Sequence, residues 1–131
     1  MDSSSKKYSE FDQLVNNLDV GIFRYVEGNS ETRFLFVNSV LCRMLGYLER
    51  ELLKQPVDDI FKDKQVLRSL EEKALAADKA YQENLELKAK NQRALLCAVT
   101  IVAVREGKKE PKHFDVIVRS LVQEKQVEKD I

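Results

Sequence analysis

The sequence predicts an α+β domain built on one antiparallel sheet, and three observations carry that prediction. Two short runs rich in β-branched and aromatic residues, Val20–Val26 and Phe34–Val37, flank the turn-prone Glu27-Gly28-Asn29-Ser30. The middle of the chain carries apolar residues at three- and four-residue spacing, the mark of helices with one buried face. From Tyr81 onward the period changes to two, in three consecutive runs joined by short polar segments. Two strands, several helices and three more strands form a segregated order rather than an alternating one.

Taken in order, Tyr8, Phe11, Val15 and Leu18, with Leu14 beside them, make an amphipathic helix over residues 1–18 after the polar start Asp2–Lys7. Its stripe suits docking on its own domain or pairing with a second copy. Val20–Val26 and Phe34–Val37 follow as a β-hairpin. Asn38 and Ser39 offer capping oxygens for a short helix, Val40–Leu45, which Gly46 can close in a left-handed conformation ahead of Tyr47. Glu49–Leu53 reads as another helical turn ended by Pro56. Val57–Phe61 starts a third, with Asp58 or Asp59 as its cap. From Lys64 to Ala77, Leu67, Leu70, Ala74 and Ala77 form an apolar face, with Arg68, Glu71, Glu72 and Asp78 on a polar one. The strands Tyr81–Lys88, Arg93–Val104 and His113–Leu121 complete the domain, joined by Ala89–Gln92 and Glu106–Pro111. Beyond them, Val127 and Ile131 stand four apart in the charged segment 123–131, as in a helix cut off after its first turns.

Composition narrows the function. The 131 residues fit one core, and 44% hydrophobic with 34% charged residues is ordinary for a water-facing globular domain. Lys plus Arg equal Asp plus Glu at 22 each, so the overall charge does not favour nucleic acid or an acidic membrane. No stretch approaches the ~20 apolar residues of a membrane span. Cys42 and Cys97 lie far apart among apolar neighbours, which suits buried thiols and a reducing cytoplasmic setting better than a disulfide framework. One histidine, His113, expected to face solvent, no Gly-rich phosphate loop, no His-Glu-x-x-His and no Cys-x-x-Cys leave no metal site and no nucleophile-base pair, so no enzymatic activity is expected. The adjacent Asp58 and Asp59 point in different directions at a helix start, which suits capping rather than acid-base work.

Several of these residues also carry a family resemblance. Val37-Asn38, then Leu41-Cys42-Arg43-Met44-Leu45 and Gly46-Tyr47, are similar to the strand-to-helix signature of PAS domains, and Glu51-Leu52, Pro56 and Asp59-Ile60-Phe61 are similar to the segment that follows it. The chain thus resembles a PAS domain (sensory-box family) of a bacterial or archaeal signal-transduction protein, over roughly residues 11–125. The resemblance implies a PAS-like five-stranded antiparallel sheet with helices on one face and an N-terminal amphipathic helix. It divides the chain into that helix (1–18), the sensor domain (19–122) and the start of a linker helix (123–131) to an output domain. Two places depart from the family pattern: Lys90-Asn91-Gln92 stands where many members have Lys-Asp-Gly, and Ser120-Leu121-Val122 stands in place of Asp-Ile-Thr, the usual anchor of the output junction.

By the same resemblance the function is a signal-sensing module that binds a small ligand or partner and regulates an attached output domain such as a histidine kinase. The alternative is a ligand-free PAS module for dimerisation and protein interaction. Residues 64–77 lack the histidine of haem-binding members, and the segment from Val57 lacks the cysteine of flavin-photoreceptor members, so no cofactor is expected. The expected ligand-binding residues line an apolar interior: Leu45, Ile60, Leu67, Leu70, Leu85, Cys97, Val99, Phe114 and Val116, with Asn38 and Cys42 beside them. On the strand Arg93–Val104, Leu96, Ala98, Thr100, Val102 and Val104 form a second, outward apolar phase. The N-terminal stripe is expected to cover that face, its own or a partner's, in a homodimer.

Overall fold

The computed structural model describes residues 19–27, 32–105, 107 and 111–121. The helix expected over 1–18 and the linker start expected over 123–131 lie outside the described residues. The elements are β1 (Gly21–Glu27), β2 (Thr32–Val37), α1 (Ser39–Leu45), α2 (Glu49–Leu53), a 3-10 turn (Val57–Ile60), α3 (Val66–Ala76), β3 (Tyr81–Lys88), β4 (Ala94–Arg105) and β5 (Pro111–Ser120). The strands form one antiparallel sheet in the order β2-β1-β5-β4-β3. The first strand therefore pairs with both its sequence neighbour and the last strand.

Alternation along each strand sets which residues enter the core. Phe23 and Tyr25 of β1, Leu87 of β3, Cys97, Val99 and Ile101 of β4, and Phe114, Val116 and Val118 of β5 are buried. They meet Leu41 and Leu45 of α1, Leu52 of α2, Val57 and Ile60 of the 3-10 turn, and Leu67, Leu70 and Ala74 of α3. The helices pack on that one face of the sheet: α1 against β1, α2 against β2, α3 against β4 and β3. Gly21 is where α1 comes closest, since a Cβ there would lie 3.0 Å from the Leu41 side chain and 3.2 Å from its Cα.

Three local readings of the sequence change in the structure. Neither Asp58 nor Asp59 caps the 3-10 turn; Pro56 precedes it in an extended conformation, and the Thr32 hydroxyl accepts from the Val57 amide at 3.0 Å. A residue on β2 takes the role because the chain enters the turn beside that strand, while Asp59 pairs with Lys64 at 3.1 Å. Glu71, assigned by residue type to the polar face of α3, is buried. At the β3–β4 connection, Gln92 adopts φ 74° in place of the family's glycine. That turn is closed by Gln92 N donating to Ala89 O and Ala89 N to Arg93 O, both at 2.9 Å.

Candidate functional site

The predicted interior residues converge between sheet and helices. Leu45, Ile60, Leu67, Leu70, Cys97, Val99, Phe114 and Val116 are buried in one cluster with Cys42, and Leu85 is half-buried at its edge. Burial pushes both thiols up from their ordinary values, Cys97 to about 11, so neither is a ready nucleophile at neutral pH.

Asn38 is a structural knot. Its Oδ1 accepts from Leu41 N at 3.0 Å, capping α1, and from Ile22 N at 2.9 Å, while its Nδ2 donates to Val20 O at 3.0 Å. Its own backbone amide donates to Ile22 O at 3.0 Å. One side chain thus holds the start of α1 to the entry of β1. These bonds engage both ends of the carboxamide.

A cleft of about 670 Å³ opens beside the N-terminal half of α3. It is lined by Glu27 and Thr32 from the ends of the first hairpin, Asp58 from the 3-10 turn, and Lys64, Gln65, Leu67, Arg68, Ser69, Glu71 and Glu72. Of the predicted site residues, Leu67 alone is among those lining this cleft. Its wall holds four carboxylates and two cations. Among the described residues, no group of three or more His, Cys, Asp or Glu is arranged to hold a metal ion.

The feature that sequence reasoning missed is Glu71, 6% exposed, whose Oε2 accepts the Tyr25 hydroxyl at 2.7 Å. Burial raises the Glu71 carboxyl to about 7, opposed by the Tyr25 hydrogen bond and reinforced by the nearby Glu27. The Tyr25 phenol is pushed well above its ordinary range, first by burial and then by the Glu71 charge. A spacing signal was present: Glu71 stands four residues after Leu67 and three before Ala74, which puts it on the apolar stripe.

The outer sheet face is partly apolar. Leu96 and Ile117 are 39% and 41% exposed, Thr100, Val102 and Val104 are half-buried, and Ala98 is buried. An ion pair, Arg24 Nε to Asp115 Oδ1 at 2.8 Å, crosses the same face, in register with Val102. His113, expected to face solvent, is largely covered, with Nε2 3.5 Å from Asp115 Oδ1. No helix among the described residues is long and apolar enough to cross a membrane.

Comparison with known proteins agrees with this architecture. No curated protein matches the sequence. Among solved structures, a PAS domain from a two-component sensor histidine kinase superposes with TM-score 0.65 at 22% identity, covering 89% of this chain and 98% of that one. The PAS domain of a Colwellia psychrerythraea protein gives TM-score 0.73 at 14% identity, covering 93% and 99%. The Rhodobacter sphaeroides LOV protein gives 0.64 at 18%, covering 78% of this chain and 59% of that one. At these identities the likeness is one of fold. The family itself is fixed by sequence: residues 19–122 match the PAS domain family, and the chain belongs to it.

Proposed function

We propose that this PAS domain is a signal-sensing module that binds a small ligand or a protein partner and regulates an attached output domain such as a histidine kinase. The PAS match over residues 19–122 carries the reading. It is supported by the fold likeness to a sensor histidine kinase's PAS domain and by the cleft beside α3, whose mixed lining suits a small polar or amphipathic molecule. Leu45, Ile60, Leu67, Leu70, Leu85, Cys97, Val99, Phe114 and Val116, with Asn38 and Cys42, are the wall that a ligand reaching the interior would press against. Segments 1–18 and 123–131, outside the described residues, are in this reading the connections to the rest of the signalling path. In this reading the module works in the cytoplasm, is not an enzyme and needs no resident cofactor.

Native mass spectrometry of freshly purified protein tests the sensing half. A small molecule that co-purifies and leaves on denaturation supports it; a bare chain at every preparation points instead to the interaction module. One observation favours that second reading, the exposure of Leu96 and Ile117 on the outer sheet face. A homodimer covering this face would be split by Leu96→Glu with Ile117→Glu, seen as a halved mass in light scattering. A wild-type protein already monomeric at high micromolar concentration rules the dimer out.

A further inference from the structure

Helix α3 turns Leu67, Leu70 and Ala74 toward the sheet, and Glu71 is buried on the same side. Its partner Tyr25 is fully buried and stacks on Phe114 with ring centroids 5.2 Å apart. The Glu27 carboxyl at the end of β1 lines the same cleft as Glu71, and its charge raises the Glu71 carboxyl further. Ionised carboxylates only accept, so a bond between Glu27 and Glu71 requires a proton on one of them. The Tyr25 proton cannot supply it, being already directed at Glu71 Oε2.

We propose that Tyr25, Glu71 and Glu27 form a proton-binding latch between β1 and α3. With one proton held between the two carboxyls, Glu71 bonds to both β1 residues and α3 is closed on the sheet. When that proton leaves to water in the cleft, two adjacent carboxylates repel and the ionised Glu71 seeks solvent, loosening the N-terminal half of α3. The elevated carboxyl of Glu71, near 7, puts the exchange close to neutral pH.

The other charged groups on this wall are Asp58 from the 3-10 turn, Lys64 ahead of α3, and Arg68 and Glu72 on α3 itself. Lys64 is paired with Asp59, and Arg68 favours the ionised form of Glu71 more weakly than burial opposes it. The strands packed on the far end of α3 carry Glu83, paired with Lys73 at 3.3 Å, and Arg105, which donates to the Leu75 carbonyl at 3.2 Å. The latch therefore acts at one end of a helix whose other end is fastened separately. It does not rest on a small ligand in the cleft, because the proton is the only species exchanged.

The test is a carbon-13 carboxyl NMR titration of the wild-type protein, with Glu71 assigned through its backbone, alongside amide hydrogen exchange of α3 at about pH 5 and about pH 8.5, corrected for base catalysis. Glu71 is expected to titrate near neutrality, and the amides of Leu70–Lys73 to open at least about fivefold more often at the higher pH. In Glu71→Gln that pH dependence disappears. Tyr25→Phe removes the bond that favours the ionised form and moves the midpoint upward. A Glu71 midpoint in the ordinary carboxyl range, or an opening ratio unchanged in Glu71→Gln, overturns the proposal. If Glu71→Gln does not fold, the wild-type midpoint and exchange ratio decide alone.

Discussion

Two polar residues are buried among the described positions, Asn38 at 2% and Glu71 at 6% exposure, and the regions around them solve the same problem differently. At the α1–β1 junction, Asn38 is neutral, and its partners are backbone groups that cannot move without undoing a strand or a helix start. At the α3–β1 junction, Glu71 is ionisable, its hydrogen-bond partner is the Tyr25 side chain, and its carboxyl lines the edge of a cleft with Glu27. A buried polar group tied to backbone stiffens a joint. One tied to side chains beside water makes a joint whose strength depends on conditions.

The largest expected effect tests the stiff joint. Asn38→Ala leaves Ile22 N, Leu41 N and Val20 O without their partner, and at about 1–3 kcal/mol for each orphaned buried group the loss should reach about 3–5 kcal/mol in urea unfolding. A loss under about 1 kcal/mol would mean that water replaces the carboxamide and that this joint is not closed to solvent. Leu70→Ala removes apolar volume next to Glu71 without touching its charge, and should cost about 2–4 kcal/mol at every pH. A pH-dependent cost there would blur the contrast between the two joints.

The conditional joint has a signed pH profile. The Glu71 carboxyl lies higher in the folded protein, about 7, than its ordinary value of 4.5, so between those limits the folded state binds more protons than the unfolded one. Its contribution to stability is fully present below about 4.5 and is lost as pH rises to about 7. Allowing for water in the cleft, the loss should be on the order of 2 kcal/mol, read as a falling urea midpoint across that window. A midpoint that rises with pH there, after correction with Glu71→Gln, would show Glu71 to be stabilised as a carboxylate. The smallest effect concerns the turn. Gln92→Gly relieves a left-handed residue and should add about 0.5–1 kcal/mol, whereas a loss would mean that the Gln92 side chain matters to the turn.

These joints also explain what could be read from sequence. Asn38 was legible because its cap lies three residues ahead and Gly46 closes the same helix, so both signals sit within one short segment. The strand phases were legible because alternation is local; Cys97, Val99, Phe114 and Val116 are buried as that phase requires. Glu71 was not, because residue type outweighed its position on the stripe and its partner Tyr25 lies 46 residues away. The Thr32 contact to Val57 spans 25 residues and has no local signature, so the nearer Asp58 and Asp59 took the capping role on paper. For the candidate site, periodicity marked the interior walls but not the cleft, whose lining gathers a hairpin end, a 3-10 turn and a helix face.

The sheet order has one more consequence. Because β1 lies beside β5, Gly21 at the start of the first strand is directly paired with Val118 near the end of the last. The chain therefore enters and leaves the domain roughly one strand spacing apart, about 5 Å, at the same end of the sheet. Such a domain can be spliced into a longer polypeptide as a side lobe that barely interrupts the path of the main chain. It also means that a short peptide could join residues 19 and 121 and new ends could be opened at the Lys90–Gln92 turn, giving a circular permutant with every strand pairing kept.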